Sequence, residues 1–342
     1  MAQARIPGIH VAGVSTCVPP RRIDNLAEGE RYGADEVRKV VSMAGVRQRH
    51  VVDEGTTSAD LCREAAERLL ERLGWERETI TGLVFVTQSP DYFLPSTACV
   101  LHAWLGLPDT CAAFDLGLGC SGYPYGLYVA TSMLKAGGHQ RILMLHGETP
   151  SRFTDPDDHA TTLLFGDAGS ATALEAGDDE AAFCLHTDGS GREGLIIRGG
   201  GFRDRHPADP RHLALEMDGA AIFNFTIKRV PPLVADTLVL AGKAVDDVDQ
   251  YVFHQSNRFI MKHLAKKCGL PEARVPMTID DTANCGGPSV AVTLTRMLDA
   301  TRDNTVMLLG YGVGLSWASA LLPIRAGTPL LHGVLGEAGL AA

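Results

Sequence analysis

Short apolar runs rich in β-branched residues punctuate the chain at 82–86, 142–145, 251–253 and 306–309. Between them lie stretches with helical spacing of apolar positions: 57–73, 95–105, 124–135, 258–267 and 289–300. The runs are apolar throughout rather than alternating, which suits strands covered on both faces. The pattern therefore predicts α/β architecture with buried sheets. The stretch 188–211, rich in Gly, Asp and Arg, reads as a long loop, and the Gly/Ala/Leu-rich tail after Arg325 reads as poorly patterned and frayed.

The elements repeat. Leu83-Val-Phe-Val-Thr-Gln-Ser89 resembles Gln250-Tyr-Val-Phe-His-Gln-Ser256. Cys120-Ser-Gly-Tyr and its helix resemble Cys285-Gly-Gly-Pro and its helix, and Arg141-Ile-Leu-Met-Leu-His-Gly147 resembles Asn304-Thr-Val-Met-Leu-Leu-Gly310. Three matches in one order at a nearly constant offset imply two fused copies of one domain, too widely spaced for a solenoid. We expect halves at 1–180 and 181–342, joined near the 188–211 loop.

Composition narrows the function. The 342 residues are 45% hydrophobic with mean hydropathy near zero, and no apolar stretch approaches membrane-spanning length. The start, Met1 to Pro7, lacks the basic and apolar regions of a signal peptide. A net charge of −10 argues against nucleic-acid binding. The eight cysteines form no CxxC pair and no Cys/His cluster with zinc spacing, so reduced thiols, a cytoplasmic location and no metal are expected.

Phe114-Asp-Leu-Gly-Leu-Gly-Cys120-Ser-Gly-Tyr-Pro reads as strand, glycine turn and helix. This puts Cys120 at a helix N-terminus, where the dipole favours thiolate and small neighbours admit a substrate carbonyl. Cys285 has a similar setting, and position alone does not separate the two. His254 ends the Tyr251–Phe253 strand, where a satisfied core histidine is the ordinary reading. Asn284 precedes a Gly-Gly turn, where a turn former is ordinary. The duplication changes both: a pseudo-two-fold axis brings the Cys120 turn to the Cys285 turn, with Asn284 beside Cys120. In Gly310-Tyr-Gly-Val-Gly-Leu-Ser-Trp317 the glycines are followed by a strand, so a dinucleotide site is excluded. A turn offering backbone N–H groups to an oxyanion is expected instead. Phe165-Gly-Asp-Ala-Gly-Ser170 reads as a structural turn.

Together these motifs, with Gly13-Val-Ser-Thr-Cys-Val-Pro-Pro20, Gly45-Val-Arg-Gln-Arg-His50, Met217-Asp-Gly219 and His254-Gln-Ser-Asn257, resemble the ketoacyl-ACP synthase III family of thiolase-like condensing enzymes over nearly the whole chain. The resemblance implies a five-layered αβαβα fold made of two pseudo-duplicated halves, a homodimer, and a triad of Cys120, His254 and Asn284. It also implies an oxyanion hole from the backbone of Cys120 and Val313, and an acyl pocket bounded by Phe93 and Leu94, supplied in the family by the neighbouring subunit. It implies acyl-thioester substrates, no cofactor, and an acyl carrier protein docking on the helix that bears Arg258, Lys262, Lys266 and Lys267; a plain solvated helix face is the alternative. Cys285 becomes a bystander. Members that take a coenzyme A primer clasp its nucleotide with a Trp and an Arg, where Lys39 and Met43 stand here, and His159 replaces a further phosphate-contacting Arg. This points to a donor other than acetyl-CoA, carried on a protein, in a specialised fatty-acid or polyketide pathway. Three rivals remain: transfer to a hydroxyl or amine acceptor, joining of two β-ketoacyl chains, and a non-catalytic partner subunit of a heterodimer. A papain-like protease shares the order Cys, His, Asn but lacks its signature around the cysteine.

Overall fold

A computed structural model describes residues 2–337, and within them nine strands form one continuous sheet. In chain order these are β1 (Ala2–Val18), β2 (Ile80–Val86), β3 (Ala112–Leu116), β4 (Arg141–Glu148), β5 (Ala168–Thr187), β6 (Gln250–Phe253), β7 (Asn304–Gly312), β8 (Ser316–Ile324) and β9 (Leu330–Val334). The main path runs β6-β7-β8-β5-β4-β2-β3, with β1 pairing β5 and β9. The helices that matter for the site are α1 (Ala34–Ala44), α2 (Ser58–Leu73), α3 (Thr97–Trp104), α4 (Gly122–Ala136), α5 (Gly219–Ala241), α6 (Arg258–Lys267) and α7 (Ser289–Met297).

Strand alternation sorts the side chains into layers. Val84, Met144, Val252 and Leu308 point to one core, where they enclose Leu127 of α4 and Ala291 of α7. Their neighbours Phe85 and Leu145 point outward against Leu61 and Leu69 of α2. In the other half Phe253 and Leu309 point outward against Leu233 of α5 and Leu264 of α6. The order is helices, sheet, α4 with α7, sheet, helices, which is the expected five-layered thiolase-like arrangement. In each half a parallel strand pair encloses a central helix and continues into an antiparallel strand: β2, α4, β4 and β5 in one, β6, α7, β7 and β8 in the other.

The halves share strands. β5 pairs with β4 through residues 168–175 and with β8 through 182–187, so it crosses the 180/181 position unbroken. It bends with β1 at a bulge beside Pro7 and Ile9. There Gly177 lies so close to β1 that a Cβ would sit 2.5 Å from Cβ of His10.

Two expectations are corrected. The tail after Arg325 is not frayed through its length: Leu330–Val334 pairs in parallel with β1, and only 338–342 lie outside the described residues. The 188–211 loop contains a helical turn at Gly189–Gly194 and the short strand Leu195–Ile196, which pairs with Glu216–Met217. The spacing also missed α5, because Pro231 and Pro232 lie inside it. Pro231 cannot donate to the Ile227 carbonyl one turn earlier. The Lys267 ammonium of α6 donates to that carbonyl instead, at 2.7 Å.

Candidate active site

Cys120 sits two residues before the first turn of α4, in the turn that follows β3. The turn closes by donation from Gly122 N–H to the Gly119 carbonyl, 2.7 Å. Across the axis, β7 ends at the glycine turn 310–314. A Cβ at Gly312 would lie 2.8 Å from Cys120 Sγ, so that position must be bare for the sulfur to be reached. The backbone N–H groups of Val313 and of Cys120 itself point at the sulfur. The turn is pinned from below: the Ser316 hydroxyl donates to the Val313 carbonyl (2.9 Å) and lies 2.6 Å from the Ser121 hydroxyl.

A cavity of about 340 Å3 opens onto Cys120, His254 and Asn284 together. The three expected partners therefore share one space although 134 and 164 residues of sequence separate His254 and Asn284 from the cysteine. Its far wall is apolar, including Phe153, Leu195, Ile197 and Ile222. Cys285 does not line it, although Asn284 and Gly286 do; Cys285 is buried with Val18, Ala168 and Val292. Geometry thus separates the two cysteines that position alone leaves equal.

His254 leaves β6 with its N–H donating to the Leu309 carbonyl, 2.7 Å. Its Nδ1 lies 3.0 Å from the Gly286 carbonyl and 2.9 Å from Ser289 Oγ at the start of α7. Burial lowers the imidazole to about 4, so it is neutral at pH 7. Asn284 is oriented by its surroundings. Its Oδ1 accepts from Gly286 N–H (3.0 Å) and its Nδ2 donates to the Ser256 carbonyl (3.2 Å), which leaves the second amide hydrogen for the cavity. The Phe165-Gly-Asp turn holds this segment from the other half. Asn284 N–H donates to Leu164 O and Gly166 N–H donates to Asn284 O, at 3.0 and 3.1 Å. Buried Asp167 secures the turn by accepting from Val52 N–H and Ser151 N–H.

Other expectations need correction. The helix N-terminus does not leave Cys120 a resting thiolate: enclosure by protein pushes the thiol up to about 11, against the pull of the two backbone N–H groups. Phe93 and Leu94, expected at the pocket of a neighbouring subunit, do not line this chain's own cavity, which leaves that expectation as it stood. They are 61% and 78% exposed, and Phe93 packs on Phe202 at 5.3 Å. The four-cation face of α6 is also smaller than its spacing suggests. Arg258 donates to the Gly45 carbonyl, Lys262 pairs with Glu272 at 3.5 Å, and Lys267 serves α5. Lys266 alone of the four has no partner among the described residues. Lys39 and Met43 lie exposed on α1, and His159 faces the Tyr32 ring at 6.2 Å.

Sequence reasoning missed Glu148, the last residue of β4, which also lines the cavity. It accepts from Gln88 N–H (2.8 Å) and meets Ser89 Oγ at 3.1 Å; burial pushes its carboxyl up to about 8. A lone carboxylate closing an apolar strand was the available signal.

Two family models match, described as 3-oxoacyl-[acyl-carrier-protein (ACP)] synthase III over residues 114–189 and its C-terminal region over 238–324. A curated Campylobacter jejuni protein, provisionally named 3-oxoacyl-[acyl-carrier-protein] synthase 3, is 34% identical over 340 residues, covering 94% of this chain and 96% of its own. The crystal structure of a 3-oxoacyl-(acyl-carrier protein) synthase from Burkholderia xenovorans LB400 superimposes with TM-score 0.94 at 43% identity, over 97% of this chain and 98% of that one. The priming β-ketosynthase of the R1128 polyketide pathway superimposes with TM-score 0.86 at 27% identity, over 94% and 98%. The fold, the shared cavity and these likenesses agree: the chain belongs to the 3-oxoacyl-[acyl-carrier-protein] synthase III family of condensing acyltransferases.

Proposed function

We propose that the protein forms an acyl thioester on Cys120 and condenses it with a malonyl-ACP-type extender by decarboxylative Claisen chemistry. The observation that carries this reading is the single cavity shared by Cys120, His254 and Asn284. The sulfur adds to the carbonyl carbon of an acyl thioester, and the backbone N–H groups of Cys120 and Val313 receive the oxyanion. Collapse expels the carrier thiolate, which takes up the proton lost by Cys120. The extender then places its thioester carbonyl between His254 and Asn284. Its carbon–carboxylate bond breaks, CO2 leaves, and the electron pair passes to the carbonyl oxygen as an enolate held by their N–H groups. The enolate carbon attacks the acyl carbonyl, the new carbon–carbon bond forms, and Sγ leaves.

The donor in this reading is bound to a carrier protein rather than to coenzyme A, in a specialised pathway. By the family resemblance Lys39, Met43 and His159 stand where the nucleotide clasp is expected, and the uncharged Met43 side chain cannot ion-pair with a phosphate. Lys266, and Lys262 through its exposed pair with Glu272, are the α6 cations offered to an acidic carrier, since Arg258 and Lys267 already donate to backbone carbonyls of this chain. Phe93 and Leu94, exposed on their loop, reach the cavity of a second copy in a homodimer.

The test is product mass. Acylated protein is given malonyl-ACP, then separately a hydroxyl or amine acceptor, with Cys120→Ala as control. A β-ketoacyl product with release of CO2 from the malonyl arm alone supports the reading. An ester or amide, or a joined pair of β-ketoacyl chains, refutes it.

A further inference from the structure

Glu148 lines the cavity and is buried, yet the proposed reaction gives it no task. Both of its carboxyl oxygens are engaged by the first residues of another segment. Oε1 accepts from Gln88 N–H at 2.8 Å, and Oε2 meets Ser89 Oγ at 3.1 Å. Gln88 and Ser89 open the loop 88–96 between β2 and α3, which carries Phe93 and Leu94.

This loop is fixed at its root and free at its tip. Thr87 Oγ1 accepts from Ser89 N–H (3.0 Å), and Ser89 Oγ accepts from Thr149 N–H (3.1 Å). The Ser58 hydroxyl donates to the Ser89 carbonyl (3.0 Å), and Asp91 N–H donates to Thr97 Oγ1 (3.0 Å). Past Asp91 the bonds stop: residues 92–94 make no hydrogen bond among the described residues, and their side chains are exposed. Of the groups that hold the root, Glu148 alone also lines the cavity. Its stem packs on the Asn284 turn, since a Cβ at Gly286 would lie 3.1 Å from Glu148 Cγ. One side chain thus ties the loop root to the site. The contact survives either protonation state. The ionised carboxyl accepts from Ser89; the protonated one donates to it, and the serine hydrogen turns to Thr87 Oγ1 at 3.3 Å. The leverage is large. Four residues of extended chain reach about 13 Å, so a tilt of about 5° at Ser89 moves Phe93 by about 1 Å.

We propose that Glu148 is a positioning residue that pins the root of the 88–96 loop, sets where Phe93 and Leu94 stand, and thereby sets which acyl chain length is accepted. The effect on chain length rests on the reading that Phe93 and Leu94 reach the cavity of a second copy. The pin itself is a property of one chain.

Two measurements on the intact protein test this. Hydrogen–deuterium exchange follows the 88–96 peptide, and Cys120 acylation rates are compared for donors differing by two methylenes. In Glu148→Ala the exchange of the root is expected to rise about tenfold or more, and the rate ratio to shift about tenfold. Glu148→Gln, whose Oε1 still accepts from Gln88 and whose amide still reaches Ser89 Oγ, keeps both within about twofold of wild type. Ser89 does not line the cavity, so Ser89→Ala separates loop from pocket shape: both readouts are expected to move in the same direction as in Glu148→Ala. Unchanged root exchange in Glu148→Ala overturns the proposal. A rate ratio that moves in Glu148→Ala but not in Ser89→Ala also overturns it, because Glu148 would then act only as pocket wall. If Glu148→Ala does not fold, Ser89→Ala decides alone, and unchanged exchange and ratio there overturn the proposal. If root exchange rises but no variant moves the ratio, Phe93→Ala included, the pin stands and the reading of a loop shared between copies fails.

Discussion

At the scale of single residues, the site is a set of groups that burial has moved off their ordinary protonation. Cys120 has the helix N-terminus that favours thiolate, yet enclosure prevails and places the thiol near 11. Its alkylation by iodoacetamide, followed on the Cys120 peptide, is expected to rise about tenfold per pH unit through the neutral range without levelling off below pH 9. A plateau below pH 8 would show that the dipole and the two N–H groups outweigh burial. Burial raises Glu148 in the same direction, and there the shift bears on stability. Its folded carboxyl titrates near 8, whereas an unfolded one titrates near 4.5. The folded protein therefore holds the extra proton between those values, and the stability this supplies is full below pH 4.5 and lost as pH rises through 8. Glu148→Gln is expected to gain in melting temperature relative to wild type between pH 5 and pH 9. A difference that does not change with pH would contradict the assignment.

At the scale of elements, the strand runs and the helices at 57–73 and 258–267 were legible because their apolar periodicity is strong and their ends are marked. Thr57 and Asp60 make a capping box, Gly74 closes α2 in the left-handed conformation, and the Asn257 side chain accepts from Ile260 N–H. The Cys120 turn was legible for the same reason. α5 was not, because two internal prolines are local stop signals and what overrides them lies elsewhere in the chain. That override is testable. Lys267→Met removes the donor to Ile227 O and is expected to destabilise the fold by about 1 kcal/mol, a solvent-screened charge-assisted bond. Thermal melting measures it, and an unchanged midpoint would mean the carbonyl is satisfied by water. The cation row on α6 misled by the same mechanism: spacing shows which residues share a face, not which already have partners in the fold. Glu148 was illegible as a site residue because it acts through contacts that only the packed chain creates.

At the scale of the whole molecule, the duplication explains why chemistry appears where it does. Two strand–helix–strand units meet at the N-terminal ends of α4 and α7, so Cys120 comes from one unit and His254 and Asn284 from the other. The strands shared through β1 and β5 tie the units into one sheet, and the Phe165 turn of the first half fixes the backbone of Asn284 in the second. Phe93 and Leu94 lie at the surface, as the proposed exchange of this loop between two copies requires. Light scattering is expected to give a dimer, and Phe93→Ala in that dimer to change which acyl chain length is accepted while leaving melting within about 1 °C. A monomer of full activity would contradict this arrangement. The central claim is that Cys120 carries the acyl group and takes it from a carrier protein. Peptide mass spectrometry after brief exposure to paired acyl-CoA and acyl-carrier donors tests it most directly. The account predicts a stable mass increment on the Cys120 peptide, absent from Cys285, appearing faster from the carrier than from acetyl-CoA. An adduct on Cys285, or none on Cys120 from any donor, would contradict the account, and equal labelling from acetyl-CoA would overturn the reading of Lys39, Met43 and His159.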